Sequence, residues 1–134
     1  MSTQTQPGLD LFATFVQLRQ DGGALPVAWT PDFWKRLVTG DGEWVVGAKH
    51  GRTPADFHPD EWEMHPRGDE LLYLLSGAIE VILEEPEGKR VVRLEGGQVC
   101  VVPRGVWHRL VMHQPSDLLF ITPPSGTQLR PVAT

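Results

Sequence analysis

The chain has 134 residues and a formal net charge of −5, from 17 acidic and 12 basic residues. That length suits one domain burying roughly two-thirds of the surface its unfolded chain exposes, and its single cysteine, Cys100 in the apolar run "VCVV", reads as a core residue and leaves no intrachain disulfide to form. No Lys/Arg cluster marks a nucleic-acid surface, no apolar run approaches the roughly 18 residues of a membrane span, and the polar start "MSTQTQPGLD" lacks the charged and apolar segments of a secretory signal, so the expectation is a cytoplasmic protein with no nucleic-acid or membrane partner.

Residues 1–8 and 123–134 ("PPSGTQLRPVAT") are rich in Pro, Gly, Ser and Thr and read as tails around a single domain over 9–122. Within it, "ATFVQLR" alternates as a strand does. "TPDFWKRLVTG" carries a helix signature: Thr30 to cap, Pro31 for the first helical position, Asp32 at the positive dipole end and Gly40 as a stop. Phe33, Trp34 and Leu37 give that short N-terminal helix an apolar stripe, which predicts packing against the outside of a β-body.

From residue 43 onward the chain reads as strands and turns. "EWVVGAKHG" is followed by "EWEMH", whose alternation puts Glu61, Glu63 and His65 on one face and Trp62 and Met64 on the other. "ELLYLLS", "AIEVILE", "VVRL", "VCVVP", "VWHRLVM" and "LLFIT" follow, separated by Gly/Pro turns, with "EPEGKR" as a hairpin loop. About seven or eight short strands at regular spacing predict an all-β sandwich or closed barrel. Five tryptophans, at 29, 34, 44, 62 and 107, fit extra packing surfaces. The outward-facing Leu71, Tyr73 and Leu75 predict an apolar patch and a homodimer.

The chemistry concentrates in "EWEMHPRGDELLYLLSG" and "PRGVWHRL". Glu63 and His65 share a strand face, Glu70 falls early on the next strand, and His108 follows a distant tight turn. If the sheet closes, the four side chains converge inside. Carboxylates and neutral imidazoles are the donors a divalent cation takes, and its charge would offset the desolvation of buried carboxylates. The alternative is a metal-free polar pocket in which the carboxylates pair with Arg67, Arg104 or Arg109. His50, His58 and His113 read as exposed strand ends or loop residues. By alternation, Leu110 and Met112 face inward with His108, and Leu72 and Leu74 with Glu70, giving an apolar wall behind the polar cluster.

These two segments resemble the paired motifs of the cupin superfamily, G-x5-H-x-H-x3,4-E-x6-G and G-x5-P-x-G-x2-H-x3-N. The first is matched by Glu63, His65, Glu70 and Gly77, the second by Gly97, Pro103, Gly105 and His108, and the resemblance covers roughly residues 43–122. It implies a cupin-type jelly-roll β-barrel in which His65, Glu70 and His108 occupy metal-ligand positions. Three positions depart from the pattern: Glu63 stands for the first histidine, Phe57 for the first glycine and Met112 for the closing asparagine. Glu63 is therefore either a fourth ligand or a catalytic base. The resemblance implies a divalent ion (Fe, Mn, Ni or Zn) and a small organic substrate with an anionic or chelating end. It allows dioxygenation, isomerisation or decarboxylation. A non-catalytic small-molecule- or metal-binding module is the alternative.

Overall fold

The structure, a computed structural model, describes residues 2–40 and 43–133. Met1 and Thr134, the outer ends of the two expected tails, lie outside the described residues. The strands are β1 (Thr14–Leu18), β2 (Ala24–Ala28), β3 (Trp44–Gly51), β4 (Glu61–Met64), β5 (Glu70–Ser76), β6 (Ala78–Glu85), β7 (Gly88–Glu95), β8 (Val99–Val102), β9 (Trp107–Met112), β10 (Ser116–Thr122) and β11 (Gln128–Pro131), with one α-helix, α1 (Pro31–Thr39), between β2 and β3. No helix among the described residues is long and apolar enough to cross a membrane.

The strands form two antiparallel sheets, ordered β2-β1-β3-β10-β5-β8 and β11-β4-β9-β6-β7. This corrects the expectation of a closed barrel. Among the described residues no ladder of hydrogen bonds joins one sheet to the other, and their inner faces meet through side chains. The open edges carry their own protection: Lys89, Arg90 and Arg93 are exposed on β7, and Pro131 ends β11.

Register defines the inner face of the six-stranded sheet. Ile121 pairs with Val46 and Leu71, Phe120 with Gly47 and Leu72, Leu118 with Lys49 and Leu74. Because side chains alternate, Val45, Gly47 and Lys49 share a face with Leu118, Phe120 and Thr122 and with Glu70, Leu72 and Leu74. Gly47 is required there, since a Cβ would lie 2.6 Å from the Phe120 ring and 2.7 Å from that of Phe15. The main core joins Leu72, Leu74, Cys100 and Leu118 of this sheet to Ile79, Val81 and Leu83 of the other, so Cys100 lies in the core.

Helix α1 begins as its sequence dictates. The Phe33 amide donates to Thr30 Oγ1 at 3.1 Å, Pro31 opens the first turn and the Gly40 amide returns to the Leu37 carbonyl. Phe33 and Leu37 form a second cluster with Phe15 and Val45. Of the tryptophans, Trp62 faces out from the five-stranded sheet yet is covered, with Lys89, Arg109 and Arg130 over its ring at 5.4, 5.3 and 5.6 Å.

Two local expectations are corrected, and one strand stands where no element was expected. The described part of the expected tail, residues 123–133, is not a tail: Pro123, Pro124 and Ser125 are buried, and β11 pairs with β4 from Gln128↔Met64 to Pro131↔Glu61. Composition misled here because β4 needs a partner on that side, and backbone pairing does not require apolar side chains. Strand β2, which no sequence signal singled out, follows a Gly22-Gly23 turn and contains Pro26; it is a sheet edge, where proline is tolerated. The loop "EPEGKR" shrinks to Pro86 and Glu87, since Glu85 pairs directly with Gly88, which takes the positive φ (132°) the tight turn requires.

Candidate metal centre

Glu63, His65, Glu70 and His108 come from three strands and a turn. Glu63 on β4 is the register partner of His108 on β9, so both project from the five-stranded sheet to the same side. Glu70 opens β5 in the facing sheet. His65 lies just beyond β4, where Pro66 and the buried Gly68 break the strand. Two hydrogen bonds tie this turn to the turn before β9: the Gly105 amide donates to the His65 carbonyl at 3.0 Å, and the Arg104 amide to the Asp69 side-chain Oδ1 at 2.7 Å. The two sequence segments that resemble the paired motifs are thus held together.

The donor atoms converge. His65 Nε2 lies 3.1 Å from Glu63 Oε1 and 3.2 Å from Glu70 Oε2. His108 Nε2 lies 2.9 Å from Glu70 Oε1 and 3.7 Å from Glu63 Oε1. One donor from each residue falls within 4.8 Å of all the others. His65, Glu70 and His108 are buried, whereas the Glu63 side chain is 34% exposed.

Neighbouring hydrogen bonds orient three of the four. The His65 Nδ1–H donates to Thr127 Oγ1 at 2.8 Å, and the Thr127 hydroxyl donates onward to the Pro124 carbonyl at 2.7 Å. That hydroxyl proton is committed, so Nδ1 must carry the proton of a neutral ring and Nε2 presents its lone pair to the cluster. Thr122 Oγ1 donates to Glu70 Oε2 at 2.6 Å, and His108 Nδ1–H faces the Val106 carbonyl at 3.5 Å.

The cluster fits a divalent cation on two observations. First, His65 Nε2 and Glu70 Oε1 are fully buried and lack a hydrogen-bond partner of proper geometry, despite close neighbours. Such orphans are rare in native interiors. Both residues belong to the group of four whose donors lie within 4.8 Å of one another. Second, metal–donor bonds of about 2.1 Å separate adjacent donors by about 3.0 to 3.4 Å, close to the spacings here. Two carboxylates and two neutral imidazoles around a dication are also neutral overall.

Without an ion the same charges must be met by protons. Burial lowers the His65 pKa, but the Glu63 and Glu70 carboxylates outweigh it and push it up to about 10. Burial lowers that of His108 too, and Glu70 again reverses the direction. Burial raises the Glu70 pKa, and the two histidines outweigh that and lower it. The alternative of arginine partners is not met: among the described residues no arginine lies within ion-pairing distance of Glu63 or Glu70. Arg67 and Arg104 are exposed, and Arg109 stacks over Trp62.

A cavity of about 540 Å³ opens beside the cluster, with Glu63, Glu70 and His108 in its wall. Leu72 and Leu110 line it as alternation predicts, while Leu74 and Met112 belong to the packed core behind. The rest of the wall combines aromatic rings, among them Phe15, Trp34, Phe57 and Phe120, with the charged Lys49, Glu61 and Arg109. His113 pairs with Glu80 at 2.9 Å, away from the cavity. His50 is exposed, bonded to Asp117 at 2.7 Å and stacked on Phe12, and it reaches the cavity rim; so does His58, read from sequence as a surface loop residue. Sequence reasoning missed Lys49, Thr122 and Thr127. Strand alternation from Val45 could have flagged Lys49, and from Phe120 Thr122; nothing in the Pro/Gly-rich end signalled Thr127.

Two antiparallel sheets enclosing a histidine–carboxylate cluster define a small β-sandwich. Residues 44–122 match the family described as "Cupin domain"; the chain belongs to the cupin family. Among solved structures it is similar to hydroquinone 1,2-dioxygenase from Sphingomonas sp. TTNP3, with 19% identity and a TM-score of 0.47 over 63% of this chain and 61% of that one. It is similar to a variant of oxalate decarboxylase from Bacillus subtilis, with 16% identity and a TM-score of 0.48 over 67% of this chain and 23% of that one. It is also similar to a cupin-2 domain containing protein from Shewanella frigidimarina, with 20% identity and a TM-score of 0.44 over 63% and 72%. The match thus spans about three-fifths of the dioxygenase and about a quarter of the decarboxylase. No curated protein matches the chain.

Proposed function

We propose that this cupin binds a divalent metal ion through His65, Glu70 and His108, with Glu63 as fourth donor from the cavity side, and that it acts on a small organic ligand held in the adjoining cavity. The observation that carries the reading is the pair of buried donor atoms without a hydrogen-bond partner, His65 Nε2 and Glu70 Oε1, in a group of four residues whose donors lie within 4.8 Å of one another. An ion there, whether Fe, Mn, Ni or Zn, would supply Lewis-acid chemistry, or an oxygen site in the case of iron.

The chain's own residues supply the rest. Thr127 holds the His65 tautomer, Thr122 holds the Glu70 carboxylate, and the apolar wall excludes water from the ligand. Glu63, the most exposed of the four, is the group that can take a proton from a bound ligand. Elemental analysis of the purified protein tests the site: near-stoichiometric metal supports it, and trace metal that added ions do not raise refutes it. A metal-loaded protein that binds ligands without turning any over would instead make this a binding module.

We also infer a homodimer. Leu75, Val99 and Val101 are 42%, 49% and 51% exposed on the outer face of the edge pair β5–β8, where Leu71 and Tyr73 are their register neighbours. Light scattering at micromolar concentration should return twice the chain mass; a monomer refutes the inference.

A further inference from the structure

The cavity has two chemically distinct ends. The histidine–carboxylate cluster lies at the level of the Thr122 row, and Lys49 lies at the level of Leu118 and Leu74, on the same inner face. Four residues along a strand separate the two rows, roughly 13 Å at 3.3 Å per residue. Between them lie Gly47, which leaves room for the rings of Phe15 and Phe120, and Leu72.

Lys49 is half-buried in the cavity wall, and among the described residues no carboxylate lies within ion-pairing distance of its ammonium. Its close polar neighbour is His58 Nε2 at 3.4 Å. The nearby acids are otherwise engaged. Asp56 accepts the Arg52 and Thr53 amides at 2.8 and 3.0 Å, and Glu63 is turned to His65 at 3.1 Å. Burial lowers the Lys49 pKa, against the pull of Asp56 and Glu63. A half-desolvated cation facing an apolar cavity is costly unless an anion meets it.

We propose that the cavity's ligand is an aromatic carboxylate: its ring lies against the Phe15, Trp34, Phe57 and Phe120 wall and its carboxylate pairs with Lys49, with His58 as a second nitrogen at that end. The reactive end then faces the metal cluster, a placement that rests on the reading above. Glu61, Glu63 and Glu70 line the cavity as well. Their charge disfavours an anion near the cluster. The wall's other cation, Arg109, has its guanidinium 5.3 Å over the Trp62 ring, and a carboxylate preference that survives in Lys49→Met would assign the anion to it. The aromatic wall favours a flat ring over a flexible chain, since stacked and edge-on ring contacts add to simple burial and a rigid ligand has less entropy to lose.

The test is calorimetric titration with 2-naphthoate and its neutral analogue 2-naphthamide, on protein as purified and after chelator treatment. Wild type should bind the carboxylate at least about tenfold tighter than the amide, the worth of one charge-assisted contact. Lys49→Met should bind both probes alike, and Lys49→Arg should restore the preference. Equal binding by wild type, no binding of either probe, or a preference that survives in Lys49→Met overturns the proposal. Metal uptake without a Lys49-dependent preference sinks this proposal alone. A preference in protein that takes up no metal supports it and sinks the metal reading.

Discussion

Glu63 and His108 face each other across β4 and β9 as direct register partners. Strand pairing, and not side-chain length, decides that both enter the space between the sheets. The position where the family's first motif carries a histidine holds a glutamate here, and its Oε1 still reaches within 3.1 Å of His65 Nε2 and 3.7 Å of His108 Nε2. A carboxylate at this place brings one more negative charge than an imidazole would. It is also the only one of the four donors that is not buried, and this sets what each substitution should do.

His108→Ala removes a buried donor and leaves Glu70 Oε1 without its 2.9 Å neighbour. Metal content should fall to trace by elemental analysis. Loading wild type with Mn or Zn in weakly buffered solution should release protons, because His65, with its pKa pushed up to about 10, holds a proton in the ion-free cluster and must give it up to ligate. Full occupancy in His108→Ala would remove it from the ligand set.

Thr127→Ala deletes the acceptor that fixes the His65 tautomer but touches no donor. Metal affinity should drop roughly 10- to 100-fold, the usual effect of losing a group that orients a ligand. Thr127→Ser retains the hydroxyl and should restore affinity, which a purely structural role for the methyl group would not. Competition against a coloured chelator reads both.

Glu63→Gln separates the two roles left to this residue. As fourth ligand it should weaken metal binding measurably while leaving the three buried donors able to hold some ion. As a base alone it would leave affinity unchanged and abolish only turnover. Titration of metal into the variant distinguishes them, and wild-type affinity would contradict the assignment of Glu63 as a donor.

Chelator-treated protein should show a pH optimum of stability. The His65 pKa is raised from the ordinary 6.5 to about 10, so its contribution is fully present below pH 6.5 and lost as pH rises through about 10. That of Glu70 is lowered from 4.5, so its contribution is present above pH 4.5 and lost as pH falls further. Thermal melts should therefore peak between about pH 4.5 and 6.5 and decline on the alkaline side. In His65→Gln the alkaline decline should flatten; an unchanged decline would place its cause elsewhere.

Much of this was legible in the chain. The N-terminal signature of α1, the alternation of Glu61, Glu63 and His65, and the apolar runs of β5 and β6 are local signals set by backbone period and side-chain sterics. The four cluster residues were identifiable from their types and from two short motifs. The open edges of the sheets, β2 and β11 were not. A strand that survives because a neighbour lends it hydrogen bonds need not look like a strand, as Gln128–Pro131 shows.

By itself, the amino-acid order determined the β-rich class of this protein and the donor types available to a cation, because alternation and turn chemistry act over a few residues. Only the tertiary structure decided that Thr127 braces His65 and that, among the described residues, Lys49 faces the cavity without a carboxylate in ion-pairing distance and the sheets meet without closing. Those relationships depend on which strands become neighbours, and that is settled by the packing of the whole chain at once.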